Sequence, residues 1–86
     1  MRKRSSPDII ATILESANGG IGKTRLLTKA NLTSSQFKKY IDLLVEKKLV
    51  AEFDRDSRNH SYKTTALGLR YLELYNSIKS VSYLTA

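Results

Sequence analysis

Lys23-Thr24-Arg25-Leu26-Leu27-Thr28-Lys29-Ala30-Asn31-Leu32-Thr33-Ser34-Ser35-Gln36-Phe37-Lys38-Lys39-Tyr40-Ile41 holds two helical patterns separated by a tight break. Thr33 followed three residues later by Gln36 is a capping box, and Leu32 with Phe37 occupies the two positions of a hydrophobic staple, so a helix starts at Thr33. Over 33–47 the apolar residues Phe37, Tyr40, Ile41, Leu44 and Val45 share one helical face, while Ser34, Ser35, Lys38, Lys39, Asp42 and Glu46 lie opposite. Upstream, Leu26, Leu27 and Ala30 fit one face of a shorter helix over 23–30, and Asn31 breaks it.

Toward the N-terminus, residues 1–5 carry three adjacent positive charges and nothing apolar after Met1, which reads as a basic arm. Ser6-Pro7-Asp8 is a helix start, with Ser6 as cap, Pro7 at the first helical position and Asp8 facing the positive end of the dipole. Ile9, Ile10, Ile13, Leu14 and Ala17 follow at helical spacing, and Asn18-Gly19-Gly20 ends that helix. Ile21, alone between glycines, suits a very short strand. Toward the C-terminus, Leu49, Ala51 and Phe53 fall on one side of a half-buried strand over 48–53. Residues 54–59 form a polar turn, and 60–64 alternate around Tyr62 as a returning strand. Thr65 caps a final helix from Ala66, in which Leu67, Tyr71, Leu74, Ile78 and Val81 are spaced four, three, four and three, with Leu72 and Tyr75 widening the stripe. The order is helix, short strand, helix, helix, two-stranded wing, helix: a mainly α chain with a small β-hairpin, a winged helix-turn-helix. Residues 1–5 are then an arm, 6–64 the domain, and 65–86 a C-terminal helix suited to dimerisation.

Composition narrows the function. Eighty-six residues allow one domain, and a domain this small buries only about 60% of its unfolded surface, so a partner subunit would help stabilise its thin core. A formal charge of +7 favours a polyanionic partner. No apolar run reaches the ~18–20 residues of a membrane span, and Asp8 and Glu15 interrupt the region where a signal sequence needs its apolar stretch. There is no cysteine, hence no disulfide framework or thiolate metal site, and the single His60 cannot anchor a zinc ion alone. The cysteine count permits a reducing cytoplasm, the expected location, with the protein on the chromosome. No second His, no Cys and no carboxylate pair in an apolar setting exist to run acid–base chemistry, so neither an enzyme, a cofactor nor a small-molecule substrate is expected.

The chain resembles the small archaeal winged-helix DNA-binding proteins that dimerise through a C-terminal antiparallel coiled coil. The resemblance lies in Ile9-Ile10-Ala11-Thr12-Ile13-Leu14-Glu15, Lys23-Thr24-Arg25, Ala30-Asn31-Leu32, Tyr40-Ile41, Leu43-Leu44, Leu49-Val50 and Thr64-Thr65-Ala66-Leu67-Gly68, and covers roughly 6–80. It implies double-stranded DNA as partner, a homodimer, and either sequence-specific regulation or general chromosome binding. Members often have a longer final helix, whereas the apolar pattern here ends near Val81.

Asn18-Gly19-Gly20-Ile21-Gly22-Lys23-Thr24 looks like a phosphate-binding loop of nucleotide hydrolases. The full motif requires glycine where Ala17 stands, and its paired-glycine variant requires lysine where Asn18 stands. An amphipathic helix, not a buried parallel strand, precedes it. The string reads instead as the turn that ends the first helix.

The helix over 33–47 carries the candidate DNA contacts. A recognition helix needs small or polar residues near its start to enter the ~12 Å major groove, and Ser34, Ser35, Gln36, Lys38 and Lys39 meet that need; a plain solvated face is the alternative. Charge placement favours DNA. Residues 23–48 contain seven Lys/Arg and two Asp/Glu, a net +5 of the total +7. Lys23, Thr24 and Arg25 lie where helix-start amides also favour phosphate. Lys47 and Lys48 suit the negative end of the third helix. On the wing, Arg55 and Arg58 are candidates for a narrow minor groove, but Glu52, Asp54 and Asp56 offset them, so local ion pairing is equally open. The Leu67, Tyr71, Leu74, Ile78, Val81 stripe either covers the domain's own core or forms a dimer interface. A rival to DNA binding is a winged-helix module whose same face meets a protein.

Overall fold

The computed structural model describes residues 5–56 and 59–85, with side chains for 5–53 and 60–81. Its elements are α1 (Ser6–Ser16), β1 (Ile21–Gly22), α2 (Lys23–Ala30), α3 (Ser34–Glu46), β2 (Val50–Asp56), β3 (Asn59–Thr64) and α4 (Ala66–Thr85). The first four positions of the expected basic arm, and Arg58 of the wing, lie outside the described residues.

The start of α1 sits one residue earlier than the sequence suggests. Ser5, not Ser6, is the cap, its hydroxyl accepting from the Asp8 N–H at 3.3 Å. The fixed φ of proline fits either of the first two helical positions, and Ser6 is freed to pair its hydroxyl with that of Tyr40, 3.0 Å away on α3. After α1, Gly19 (φ 93°) and Gly20 (φ 98°) take conformations that L side chains resist, turning the chain into β1. The wing expected as two strands is part of a three-stranded antiparallel sheet in the order β1-β3-β2. Ile21 pairs with Tyr62 and Gly22 with Ser61. The Thr64 hydroxyl donates to the Leu14 carbonyl at 2.7 Å, and the Thr64 N–H to Ala17 O at 3.1 Å, so the hairpin's base is fixed to the end of α1.

The turn between α2 and α3 follows the sequence reading closely. Asn31 adopts the left-handed conformation (φ 56°) that stops α2, and the Leu32 N–H returns to the Leu27 carbonyl at 3.0 Å. Thr33 and Gln36 form both halves of the capping box. The core beneath contains the fully buried Ile13, Leu14, Leu26, Leu44 and Val50, each such side chain stabilising by about 1.5–3 kcal/mol. The Phe37 and Tyr62 rings meet edge to face, 5.5 Å between centroids, locking α3 to the sheet.

The wing departs from expectation in burial and length. Phe53 is 51% exposed and Ala51 half-buried, whereas Val50 is 1% exposed opposite buried Thr64. Lys48 takes a left-handed turn (φ 63°) and the Leu49 N–H closes onto Leu44 O. Leu49 therefore belongs to the turn, and along the strand burial falls away from Val50 through half-buried Ala51 to exposed Glu52 and Phe53. The strands also run through residues expected in the polar turn, with a register shift between Asp54 and Asp56, because ladder hydrogen bonds are made by backbone whatever the side chains.

Thr65 caps α4, accepting from the Gly68 N–H at 3.0 Å and donating to the Lys48 carbonyl at 2.7 Å. The expected interface stripe divides. Tyr71, with Leu72, packs against the domain core. Leu67, Leu74, Ile78 and Val81 are 53–67% exposed. The helix itself continues past Val81, to Thr85.

Candidate nucleic-acid interface

Helices α2 and α3 each expose a polar face. The cap geometry sets the first turn of α3. There the Gln36 side-chain oxygen accepts from the Thr33 N–H at 3.1 Å and the Thr33 hydroxyl accepts from the Gln36 N–H at 3.2 Å. Gln36 thus spends on the helix the acceptor that a bidentate contact to adenine requires. Ser34, Ser35, Lys38 and Lys39 are exposed. Lys39 Nζ lies 5.7 Å over the Tyr40 ring, which restrains its stem without removing its charge from solvent.

The start of α2 reaches the same place. Lys23 Nζ lies 6.0 Å from the centre of the Phe37 ring in the first turn of α3. Thr24 and Arg25 follow on exposed positions, with Lys29 exposed one turn beyond Arg25. Lys29 was not singled out from the sequence; its spacing of four from Arg25 was the available signal. Gly22 caps α2 without a side-chain bond, and no acidic residue stands in that first turn. Asp42 and Glu46 are also exposed, one and two turns further along α3. Cations thus stand at the start of α2 and in the first half of α3, whereas Asp42 and Glu46 in its second half are followed by exposed Lys47 and Lys48. The dipoles of both helices reinforce the positive end.

The wing contributes less that is definite. Arg55 lies in β2. Half-buried His60 places Nδ1 3.9 Å from the Glu52 carboxylate, a contact within the hairpin. Among the described residues no cluster of His, Asp or Glu is arranged to hold a metal, and no helix is long and apolar enough to cross a membrane.

A second surface is the outer side of α4, with Leu67, Leu74, Ile78 and Val81. Its inner side is tied to α1, where the Tyr75 hydroxyl donates to the Asp8 carboxylate. That bond pushes the Tyr75 hydroxyl up to about 12 and, with the help of Ser5, holds Asp8 below the usual carboxylate range.

Comparison with known proteins bears on this arrangement. A family model described as winged helix-turn-helix matches residues 3–83. The structure of Sso10a-2, a DNA-binding protein from Sulfolobus solfataricus, superposes with a TM-score of 0.85 at 20% identity, over 95% of this chain and 85% of that one. The structure of NadR in complex with 4-hydroxyphenylacetate superposes with a TM-score of 0.69 at 17% identity, over 95% of this chain and 63% of that one. At such identities the likeness is one of fold. No curated protein sequence matches the chain.

Proposed function

The chain belongs to the winged helix-turn-helix family, and from that premise we propose that it binds double-stranded DNA as a transcription regulator or chromosome-associated protein. The observation that carries this reading is the exposure of Lys23, Arg25, Lys38 and Lys39 on α2 and α3, with Lys23 beside Phe37 of α3 and no acidic residue in the first turn of either helix. The N-terminal half of α3 enters the major groove, where Ser34, Ser35 and Lys38 read base edges and Lys39 reaches phosphate. Lys23, Thr24 and Arg25 hold the adjoining backbone. Gln36 serves through the cap rather than through a base. Arg55 and Arg58 follow the wing toward the minor groove. Asp42 and Glu46 oppose phosphate, so the helix approaches with its first two turns leading. The fold likeness to a DNA-binding protein supports the same reading.

The protein acts as a homodimer. Leu67, Leu74, Ile78 and Val81 expose apolar surface along α4, and a second copy of the helix, antiparallel to the first, covers it. Two-fold symmetry then presents two copies of α3 to two related half-sites. No catalytic role is proposed.

Duplex binding measured across salt concentration tests the reading. Affinity should fall at a slope of about −0.9 per phosphate neutralised. A folded protein with no duplex affinity at low salt would instead favour the second reading, a protein partner for the same face, to which exposed Asp42 and Glu46 are better suited. Selection from random duplexes separates a sequence-specific regulator, which enriches a motif, from a general chromosome binder, which does not.

A further inference from the structure

The glycine-rich string Asn18–Thr24, set aside above as a nucleotide-binding motif, borders a cleft of about 470 Å3 between the end of α1 and the flank of α2. Arg25, Thr28 and Lys29 of α2 line it together with Ser16, Asn18 and Gly20 from the end of α1 and the turn after it; Ile21 adds a small apolar surface. None of the lining residues is acidic. Gly20 has no side chain to narrow the cleft, and its φ of 98° forbids most others. Thr24 brings the second position of α2 to the cleft, in a helix start without a side-chain cap or an acidic residue.

We propose that this cleft binds a small molecule carrying a phosphate group, and that its occupancy competes with DNA. The donors are of several kinds: a guanidinium, an ammonium, the Ser16 and Thr24 hydroxyls and a side-chain amide, while the Thr28 hydroxyl donates to the Thr24 carbonyl. That set suits a tetrahedral dianion better than a planar carboxylate. The volume exceeds a single phosphate and accommodates the organic part of a small metabolite. Nucleoside triphosphate hydrolysis is not implied, because Lys23, in the place of the lysine that such loops use, lies over the Phe37 ring instead of lining the cleft. The competition rests on the DNA reading above, since Thr24 and Arg25 serve both ligands; binding itself does not depend on it.

The test is amide-resolved titration of the full chain with inorganic pyrophosphate at constant ionic strength, with acetate as control and a short duplex as a separate arm. Saturable shifts at Ser16, Gly20 and Thr24 are expected with pyrophosphate and not with acetate. Lys29→Gln and Arg25→Gln should each weaken binding about tenfold, as loss of one charge-assisted contact implies. Pyrophosphate should also release bound duplex. Shifts that do not saturate, or that both variants leave unchanged, overturn the site. Duplex alone should shift Thr24, which serves both ligands; duplex alone that also shifts Ser16 and Gly20 assigns the cleft to the DNA backbone and equally overturns it. Pyrophosphate binding that leaves the duplex held overturns the competition. If pyrophosphate binds and no duplex does, the DNA reading fails and the site stands.

Discussion

Tyr75 on α4 donates its hydroxyl proton to the carboxylate of Asp8 on α1, joining two helices that both pack at the core. Asp8 is itself the third residue of its helix and is held at the other side by the Ser5 cap. One bond therefore links the start of the domain to the helix whose outer face is the candidate dimer surface.

Stability should depend on pH at both extremes through this pair. The folded-state value of Tyr75 is raised from 10.0 to about 12. Its contribution is thus complete below pH 10 and is lost as pH rises toward about 12. Asp8 is lowered from 3.8, so its contribution is complete above that pH and is lost as pH falls below it. Tyr75→Phe should flatten the alkaline limb of the stability profile and reduce the acid one. Thermal unfolding of both proteins across pH checks this, and identical alkaline limbs would remove the tie from the account.

Gly68→Ala sets two effects against each other. In a helix interior alanine is favoured over glycine by about 1 kcal/mol. Yet a Cβ at position 68 would stand 2.2 Å from the Leu49 carbonyl oxygen and 2.7 Å from Thr64 Cγ2. The first contact is backbone and cannot swing aside, so overlap should dominate, with a net loss of about 1–3 kcal/mol. Denaturant unfolding measures it. A stabilised variant would mean that α4 sits further from the wing than described.

The fold was largely legible because its punctuation is local. The Thr33–Gln36 box, the Leu32–Phe37 staple and the Asn31 break each need only a few neighbouring residues, and they fix α2, the turn and α3. The wing was harder. The turn into it runs through the left-handed Lys48, a conformation nothing in a lysine announces. The third strand rests on a pairing of Ile21 with Tyr62, forty-one positions away. The candidate site was legible as charge and incompletely as geometry. That Lys23 lies over Phe37, that Gln36 is occupied by its own cap, and that Lys29 shares a cleft with Arg25 all depend on how helices pack.

The cations around α2 and α3 should carry the salt dependence of duplex binding. Changing Lys23, Arg25, Lys38 and Lys39 together to Ala should abolish binding at physiological salt, and each single change should lower the slope by about 0.9 if it removes one phosphate contact. Lys38→Ala should in addition alter the preferred sequence, since a good base contact discriminates by about 1–3 kcal/mol. Gln36→Ala should act differently, costing about 1 kcal/mol of stability through the cap while leaving sequence preference in place. Anisotropy titrations at several salt concentrations, with circular dichroism to verify folding, separate these effects. Unchanged affinity in a folded quadruple variant would sink the DNA reading.

Assembly is the remaining expectation, and the division of the α4 stripe decides which residues test it. Tyr71 and Leu72 pack on the core, so changing them would unfold the domain and say nothing about association. Leu74 and Ile78 are 59% and 67% exposed, so replacing both with Lys should leave the monomer folded. At about 1.5 Å per residue the twenty residues of α4 span roughly 30 Å, long enough for two antiparallel copies to overlap along Leu67 to Val81. In the wild-type protein that overlap joins two weak half-site contacts into one event. The doubly substituted protein should therefore sediment as a monomer with unchanged thermal stability of the domain, and bind a two-half-site duplex at least tenfold more weakly, with little change on a single half-site. Wild-type protein that sediments as a monomer at micromolar concentration while keeping full affinity would remove the dimer and leave each winged helix to bind alone.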